Sequence, residues 1–425
     1  MECTPAEEFE RRYLELFWRR QRRQWDNYVV GAGHDLRAVD DEIFRLVASH
    51  KDSFNAPGRR GEILRDIIAR ELVDRHPDAA RLRNRLDDRA NYEHGFSAIQ
   101  RPDPVHYKLI LAQRMKPDVL DLMRVRQRLA RDLGFSSYVA MVLSTEGFEL
   151  EWVVALMEEY VEENLPAAKT LVKGYDISWP TWFSDLDAVG HVELNFTPSQ
   201  RIAGFLECLG FEQIQDAITI VVREQPIEGY GGILSVPDDI RILVRPIRSL
   251  KRWLTLFHEL GHALAHALNA QPGIFKTWTN VYDESMAVLI EHIAAFVLLD
   301  EAHRERAQTL FILENIRCAI SALFELALWE RPESAESLYA QHYAQLGPHI
   351  ASPGIWALDS FRSIDPVYVQ NYVIGALVAA KTINLLGQEY GRDFRRWGKW
   401  LTSNYYADGR RRTLREKMAV IGALT

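Results

Sequence analysis

The chain contains little cysteine and no long apolar segment, and both absences narrow the classes of protein to which it can belong. Only Cys3, Cys208 and Cys318 occur in 425 residues, and their spacing fits neither a disulfide framework nor a thiolate metal site. We therefore expect a protein of a reducing compartment, which favours the cytoplasm. No apolar run approaches the roughly 20 residues that cross a bilayer, and the first residues lack the basic and apolar regions of a signal peptide. We expect no membrane association.

An excess of positive charge is also absent. The formal net charge is −8 and the isoelectric point is near 5.9, so the whole chain does not attract nucleic acid or acidic lipid. A predicted helix over residues 6–26 is a local exception, because arginines alternate with aromatic residues there: Arg11, Arg12, Arg19, Arg20, Arg22 and Arg23. Such a patch is compatible with nucleic-acid binding. In an acidic chain we favour a solvated helix face that nearby acids partly neutralise.

Helical periodicity dominates the sequence. Hydrophobic residues make up 47% of the chain and charged residues 26%, which is typical of globular proteins. Long helices are predicted over 106–134 and 148–174, with a helix between them that starts at Ser136-Ser137. The convincing strand region is confined to 218–222 and 240–244, with Gly229-Tyr-Gly-Gly232 predicted as a flexible loop between the two strands. The prediction is a mainly α fold with a small β-sheet.

The segment His258-Glu-Leu-Gly-His262 carries the clearest chemistry. Residues i and i+4 project from one helix face, so both imidazoles can reach the same Zn²⁺ ion. Glu259 lies beside them, where it can take a proton from a water molecule that the metal activates. His266 continues this face, but it lies too far along the axis to be a third ligand, and we interpret it as structural.

Apolar spacing supports a helix here, because the following residues recur every three or four positions: Leu254, Phe257, Gly261, Leu264 and Leu268. Gly261 costs roughly 1 kcal/mol inside a helix relative to alanine. We expect that another segment packs closely against the metal-bearing turn at this point. The alternative, two histidines in an ordinary helix, is less compatible with the whole motif.

Glu284 is the predicted third ligand. It lies in residues 282–299, which are apolar almost all round and predict a buried helix. A carboxylate on such a helix is costly unless it is paired or binds a metal. Glu291, seven residues later on the same face, or Asp283, is predicted to orient a ligand imidazole. Helix capping is the alternative role for an acid at this position, and it suits Asp283 better than Glu284.

Two further groups of residues are predicted to contact a substrate. Tyr368 and Tyr372 share a helix face and could donate hydrogen bonds to an oxyanion, although tyrosines on apolar helices are usually core residues. The edge of the strand over 240–244 could pair with an extended peptide. The residues predicted there are Gly231, Gly232, Ile240 and Ile242. A purely structural hairpin is the open alternative.

These residues together resemble three related groups of zinc peptidases: the M3 group of oligoendopeptidase F and thimet oligopeptidase, the M2 group of angiotensin-converting enzyme, and the M32 thermostable carboxypeptidases. His258-Glu-Leu-Gly-His-Ala-Leu-Ala-His266 is similar to the M3 zinc motif, and Asp283-Glu-Ser-x5-Glu291 resembles the helix of the third ligand. Pro366-x-Tyr368-x3-Tyr372-x2-Gly375 resembles the oligoendopeptidase F motif, which favours Tyr372 as the oxyanion donor. Residues 126–135 and 237–242 give looser matches.

The resemblance implies a two-lobed helical clamshell around a deep channel, with a small sheet next to the zinc helix. We expect residues 1–425 to form a single catalytic unit of two lobes, with a zinc-site core at about 219–375. The irregular stretch at about 179–198 is the predicted hinge between the lobes. The implied activity is that of a gluzincin-type metallopeptidase that binds one Zn²⁺ per chain and cleaves short unfolded peptides. No nucleic-acid or membrane partner is implied.

Arg362 departs from the family pattern, because a histidine is typical ten residues before the oxyanion tyrosine. Its permanent charge predicts that it binds a substrate carboxylate. The chain is also shorter than typical members of these groups. Two alternatives therefore stay open: a specialised zinc hydrolase for one small amide or modified peptide in a biosynthetic pathway, and an inactive helical scaffold.

Overall fold

A computed structural model describes residues 4–51, 57–89, 104–177, 182–190, 197–225, 229–347 and 353–424. The predicted mainly α architecture is confirmed, because helices dominate and a single small sheet is found among the described residues. Within these ranges no helix is both long and apolar enough to cross a bilayer. The division into two lobes around a channel stays a prediction.

The helices and strands follow one another in this order. They are α1 Pro5–Trp25, α2 Arg37–His50, α3 Gly58–Asp74, α4 Pro77–Arg89, α5 Pro104–Asp132, α6 Tyr138–Glu146, α7 Leu150–Gly174, α8 Trp182–Val189, α9 Pro198–Leu209, β1 Ile218–Val222, β2 Gly229–Ser235, β3 Asp239–Val244, α10 Leu250–Ala267, α11 Asn280–Leu298, α12 Glu301–Glu330, α13 Ala335–Tyr343, α14 Ser360–Ser363, α15 Gln370–Tyr390, α16 Phe394–Leu401 and α17 Leu414–Val420. Short 3-10 and π turns connect several of them.

Most predicted helices form close to their predicted bounds. Ser137 caps α6 by accepting a hydrogen bond from the amide of Ala140, and α5 ends just before Gly134. Of the predicted hinge at about 179–198, the described part contains helix α8, whereas residues 179–181 and 191–196 lie outside the described residues. The hinge role stays a prediction.

The sheet differs from the prediction in two ways. Gly229 to Gly232 were predicted as a loop, but they lie in β2, which pairs antiparallel with β3. The predicted edge strand is wrong as well, because the strand order is β1-β3-β2 and β3 lies in the middle, parallel to β1. Backbone groups on both sides of β3 are therefore already paired, and β2 is the edge strand next to α10.

Three helices form the layer that carries the predicted site. Helix α11 packs between α10 and α15, and a glycine allows close approach on each side. A Cβ atom on Gly261 of α10 would lie 2.5 Å from the Cα atom of Ala287, and one on Gly375 of α15 would lie 3.1 Å from the Cα atom of Ser285. The structure thus confirms the expected close packing at Gly261, and the helix bearing Glu284 lies tightly between its two neighbours.

Candidate metal centre

His258 and His262 lie one turn apart on α10, and their ring centroids are 5.0 Å apart. The helix begins at Ser249, whose hydroxyl accepts a hydrogen bond from the amide of Arg252. Nearly every residue of α10 is buried, which keeps both imidazoles in a low-dielectric environment. The local helix alone is therefore sufficient to direct both rings toward one side.

Glu284 on α11 brings its carboxylate to both imidazoles. Its Oε2 atom lies 3.2 Å from Nε2 of His258, and its Oε1 atom lies 3.9 Å from Nε2 of His262. Within the described chain, these three residues form a group whose ligand atoms all lie within 4.8 Å of one another. Nitrogen and oxygen ligands at about 2.0–2.1 Å from a tetrahedral zinc ion stand about 3.3 Å apart, so the observed separations fit such an ion.

Two outer carboxylates contact the other nitrogen of each ring. Glu291 lies 3.3 Å from Nδ1 of His258, and Asp283 lies 3.2 Å from Nδ1 of His262. If each Nδ1 carries the ring proton, each Nε2 atom presents a lone pair to Glu284. The carboxylate of Glu284 is also an acceptor, so neither group could donate a hydrogen bond to the other. Oε2 of Glu284 is buried and has no hydrogen-bond partner among the described residues. A cation between these acceptors would satisfy all three groups, so the donor set fits zinc.

The charges of this cluster shift its pKa values. Burial lowers the pKa of His262, but Asp283 and Glu284 outweigh burial and raise it to about 9. Burial raises the pKa of Asp283, yet His262 and His266 outweigh it and hold that pKa well below its usual value. His266 lies 2.9 Å from Asp283 and packs on Trp278, which agrees with its predicted structural role.

Glu259 projects from the same helix toward the edge strand. Burial raises the pKa of its carboxyl group above the usual value, although His262 and His258 oppose the shift. A Cβ atom on Gly229 would lie 2.3 Å from Oε1 of Glu259, and one on Gly231 would lie 3.4 Å from Oε2. Two glycines on one face of β2 therefore leave space for this carboxylate. Gly229 is not among the site residues predicted from the sequence. Its spacing of two residues from Gly231 could have indicated it, because residues two apart in a strand face the same side of the sheet.

Both predicted tyrosines lie beside the cluster. The hydroxyl of Tyr368 donates a hydrogen bond to Oε1 of Glu284. The ring of Tyr372 stacks on that of His258, with centroids 6.0 Å apart. Phe361, which the sequence did not single out, stacks on Tyr368 with centroids 5.2 Å apart and nearly parallel planes. The two tyrosines thus adjoin different members of the candidate metal centre.

Other predicted substrate contacts lie elsewhere. Ile240 and Ile242 are fully buried in the main core, because alternate residues of β3 face it. Gly232 faces the opposite side of the sheet, where an added Cβ would lie 2.1 Å from the ring of Trp25. Ile240 and Ile242 therefore lie on the central strand, whose backbone is already paired on both sides, and the structure corrects their prediction as edge contacts. A substrate contact at Gly232, on edge strand β2, stays a prediction. Gly231 alone of this set faces the cluster.

Arg362 is 2% exposed, and its guanidinium lies among protein groups. Its Nη2 atom lies 3.3 Å from Oδ2 of Asp359, and its Nη1 atom lies 3.7 Å from Oε2 of Glu325. Binding of a substrate carboxylate by Arg362 stays a prediction, although these contacts already provide partners for its charge.

Acidic side chains cover much of the arginine face of α1. Arg19 lies 2.7 Å from Glu42, and Arg20 lies 2.7 Å from Asp40. Arg12 likewise pairs with Glu15 at 2.9 Å. The interpretation as a partly neutralised helix face therefore agrees with the structure.

One large cavity has a wall separate from the candidate metal centre. Its volume is about 840 Å³, and α7, α11, α12, α15 and the segment 422–424 line it. None of the histidines, glutamates or tyrosines discussed above contributes to its wall. We therefore do not assign it to the metal chemistry.

No protein-family model and no curated protein matches the sequence. Solved structures do match it. A carboxypeptidase from Pyrococcus furiosus has a TM-score of 0.64 and 14% identity, covering 99% of this chain and 96% of that chain. An M32 carboxypeptidase from Deinococcus radiodurans R1 has a TM-score of 0.62 and 14% identity, covering 98% and 94%. PZ peptidase A has a TM-score of 0.67 and 14% identity, covering 92% and 82%.

Identities this low establish the fold alone, and they do so over nearly the full length of the chain. The resemblance to M3 and M32 peptidases that the sequence motifs predict is thereby confirmed at the level of structure. This chain has the fold of the M32 carboxypeptidases and of PZ peptidase, with a His–His–Glu candidate metal site.

Proposed function

We propose that the chain is a zinc-dependent metallopeptidase that hydrolyses amide bonds of short peptides. The observation that carries this proposal is the meeting of His258, His262 and Glu284 around one point, with the buried carboxylate of Glu259 beside it. The peptidase fold of the structural neighbours supports the same reaction class.

Each residue has a distinct role in the proposed reaction. His258, His262 and Glu284 would hold zinc, which supplies a Lewis acid that polarises the scissile carbonyl and lowers the pKa of water. Glu259 accepts a proton from the attacking water and passes it to the leaving amine. Tyr372 donates a hydrogen bond to the developing oxyanion, and Tyr368 holds Glu284 in place.

The substrate is proposed to bind as an extended strand along the edge of β2. This strand is at the edge of the sheet, so its outer backbone groups can pair with a peptide. Because Gly229 and Gly231 carry no side chains, the Glu259 carboxylate lies directly against β2, next to a peptide that pairs with this strand.

The test is to map cleavage sites by mass spectrometry in a library of short peptides with free and blocked termini. The zinc-loaded wild type and Glu259→Gln are compared, because glutamine keeps the shape of the side chain but cannot accept the proton. We expect Glu259→Gln to retain zinc and to lose activity by a factor of about 10² to 10⁴. Equal cleavage by both proteins would contradict the role of Glu259.

The same experiment separates the alternatives. Cuts in many peptides indicate a general peptidase, and their distance from each terminus shows whether it acts as an endopeptidase or a carboxypeptidase. A zinc-loaded wild type that cuts none of them would favour a hydrolase dedicated to one small substrate. A protein that binds no zinc would favour an inactive scaffold.

A further inference from the structure

Arg362 lies on α14, in the segment that leads to the two tyrosines, and it is anchored inside the protein. Besides Asp359 and Glu325, its guanidinium contacts the hydroxyl of Ser321 and lies 3.3 Å from the hydroxyl of Tyr343. Buried arginine is stable only when acidic and polar groups surround it. These partners belong to α12, α13 and the start of α14 itself.

Glu325 connects this anchor to the tyrosine turn. Its side chain is 2% exposed, and its Oε1 atom accepts a hydrogen bond from the amide of Val367 at 2.7 Å. Val367 has a φ angle of +58°, which a β-branched residue adopts only when its surroundings hold it there. The carbonyl of Val367 accepts a second bond from Gln370 at 2.7 Å. The residue immediately before Tyr368 is thus held in an unusual conformation.

The residue next to Arg362 makes the contact with the tyrosines. Phe361 stacks on Tyr368, with an angle of 6° between the ring planes, and meets Tyr372 edge-on with centroids 6.2 Å apart. Arg126 on α5 also donates a hydrogen bond to the carbonyl of Ile364 at 3.1 Å. Fixing Arg362 therefore fixes the ring against which both tyrosines pack.

We infer that Arg362 and Glu325 are positioning residues, which hold the turn 359–367 so that Tyr368 and Tyr372 meet the candidate metal centre. This inference rests on the proposed function for its catalytic consequence. It replaces substrate binding as the role of Arg362, because the guanidinium is directed toward Glu325 and Ser321 and is almost fully buried.

The test compares Arg362→Met, Glu325→Gln and the double variant on one peptide with a free and an amidated carboxyl terminus. Arg362→Met leaves Glu325 buried without its partner, whereas the double variant removes both charges. We expect Arg362→Met to lower kcat by about tenfold to a hundredfold on both peptides with little change in KM, because a displaced donor acts in the transition state. The double variant should remain impaired in kcat, because neither charged side chain is left to hold the turn, even though it no longer buries an unpaired charge.

Arg75→Met is the matched control. Arg75 is also buried, and its guanidinium pairs with Glu71 and Asp40 among the N-terminal helices. The Arg75→Met variant should lose about as much stability as Arg362→Met does. It should nevertheless keep the kcat of the wild type at temperatures where it stays folded. An increase in KM confined to the free-carboxyl peptide would overturn the inference, as would a double variant that regains the kcat of the wild type.

Hydrogen exchange tests the anchor without any activity. The hydrogen-bonded amides of Ile364, Asp365 and Val367 should exchange at least about tenfold faster in Arg362→Met than in wild type, and should not change in Arg75→Met. If the wild type cleaves no peptide but this difference is found, the proposed function fails and the anchor stands. Unchanged exchange in Arg362→Met would refute the anchor itself.

Discussion

Replacing Gly261 by alanine tests whether helix packing sets the geometry of the metal site. Helix propensity alone would make this change stabilising by about 1 kcal/mol. In the structure, however, the new Cβ would lie 2.5 Å from the Cα atom of Ala287 and 2.6 Å from the carbonyl oxygen of Met286. Both neighbours are backbone atoms of α11, so no side-chain rotation can relieve the contact.

The magnitude follows from these distances. Ordinary contact begins at 3.4 Å, so α10 and α11 must move apart by about 0.9 Å at this point. Overpacking of this kind costs up to about 3 kcal/mol, which leaves a net loss of about 2 kcal/mol after the gain in propensity. A movement of 0.9 Å also exceeds the roughly 0.2 Å tolerance of metal–ligand distances. Because Glu284 lies on α11, we expect zinc affinity to fall at least about tenfold.

The assay combines a competitive zinc titration against a chelator with denaturant unfolding of the metal-free protein. Gly204→Ala is the control, because Gly204 lies within helix α9 and an added Cβ there meets no atom within 4 Å. It should stabilise the protein by up to about 1 kcal/mol and leave zinc affinity unchanged. If Gly261→Ala behaves like Gly204→Ala in both measurements, the packing argument is refuted.

Two other predictions concern protons and the edge strand. In the metal-free protein the carboxylates outweigh burial, which raises the pKa of His262 to about 9 and holds that of His258 well above its usual value. Zinc binding at pH 7 should therefore release about two protons, and zinc affinity should rise as the pH is raised from 7 toward 9. Calorimetry in buffers of different ionisation enthalpy counts these protons, and a count of zero would contradict the assignment. Gly229→Ala should displace the Glu259 carboxylate and lower turnover more than Gly231→Ala does, with zinc content unchanged, because the added Cβ would lie about 1 Å closer to that carboxylate. Equal kcat values for the two variants would contradict this placement of Glu259.

The local parts of the site could be predicted from the sequence. The spacing of His258 and His262 is a property of one helix, and the cost of a buried carboxylate pointed to Glu284 on the next. Gly261 was informative for the same reason, because a glycine inside a helix needs a packing explanation.

The parts that depend on tertiary structure could not be predicted. Gly229 to Gly232 lack the β-branched residues of a strand, and they form one because β3 pairs with them and because Glu259 and Trp25 occupy the space of the missing side chains. Strand order likewise depends on the whole fold, so the central position of β3 was not visible. The burial of Arg362 depends on Glu325, which lies 37 positions earlier, and no local sequence pattern predicts that contact.

Anomalous diffraction at the zinc edge from crystals of the zinc-loaded protein tests the central claim most directly. We predict one peak per chain, about 2.0–2.2 Å from Nε2 of His258, Nε2 of His262 and an oxygen of Glu284, with the Glu259 carboxylate beside it. Zinc bound at another position, or no zinc in a protein with these residues intact, would contradict the assignment.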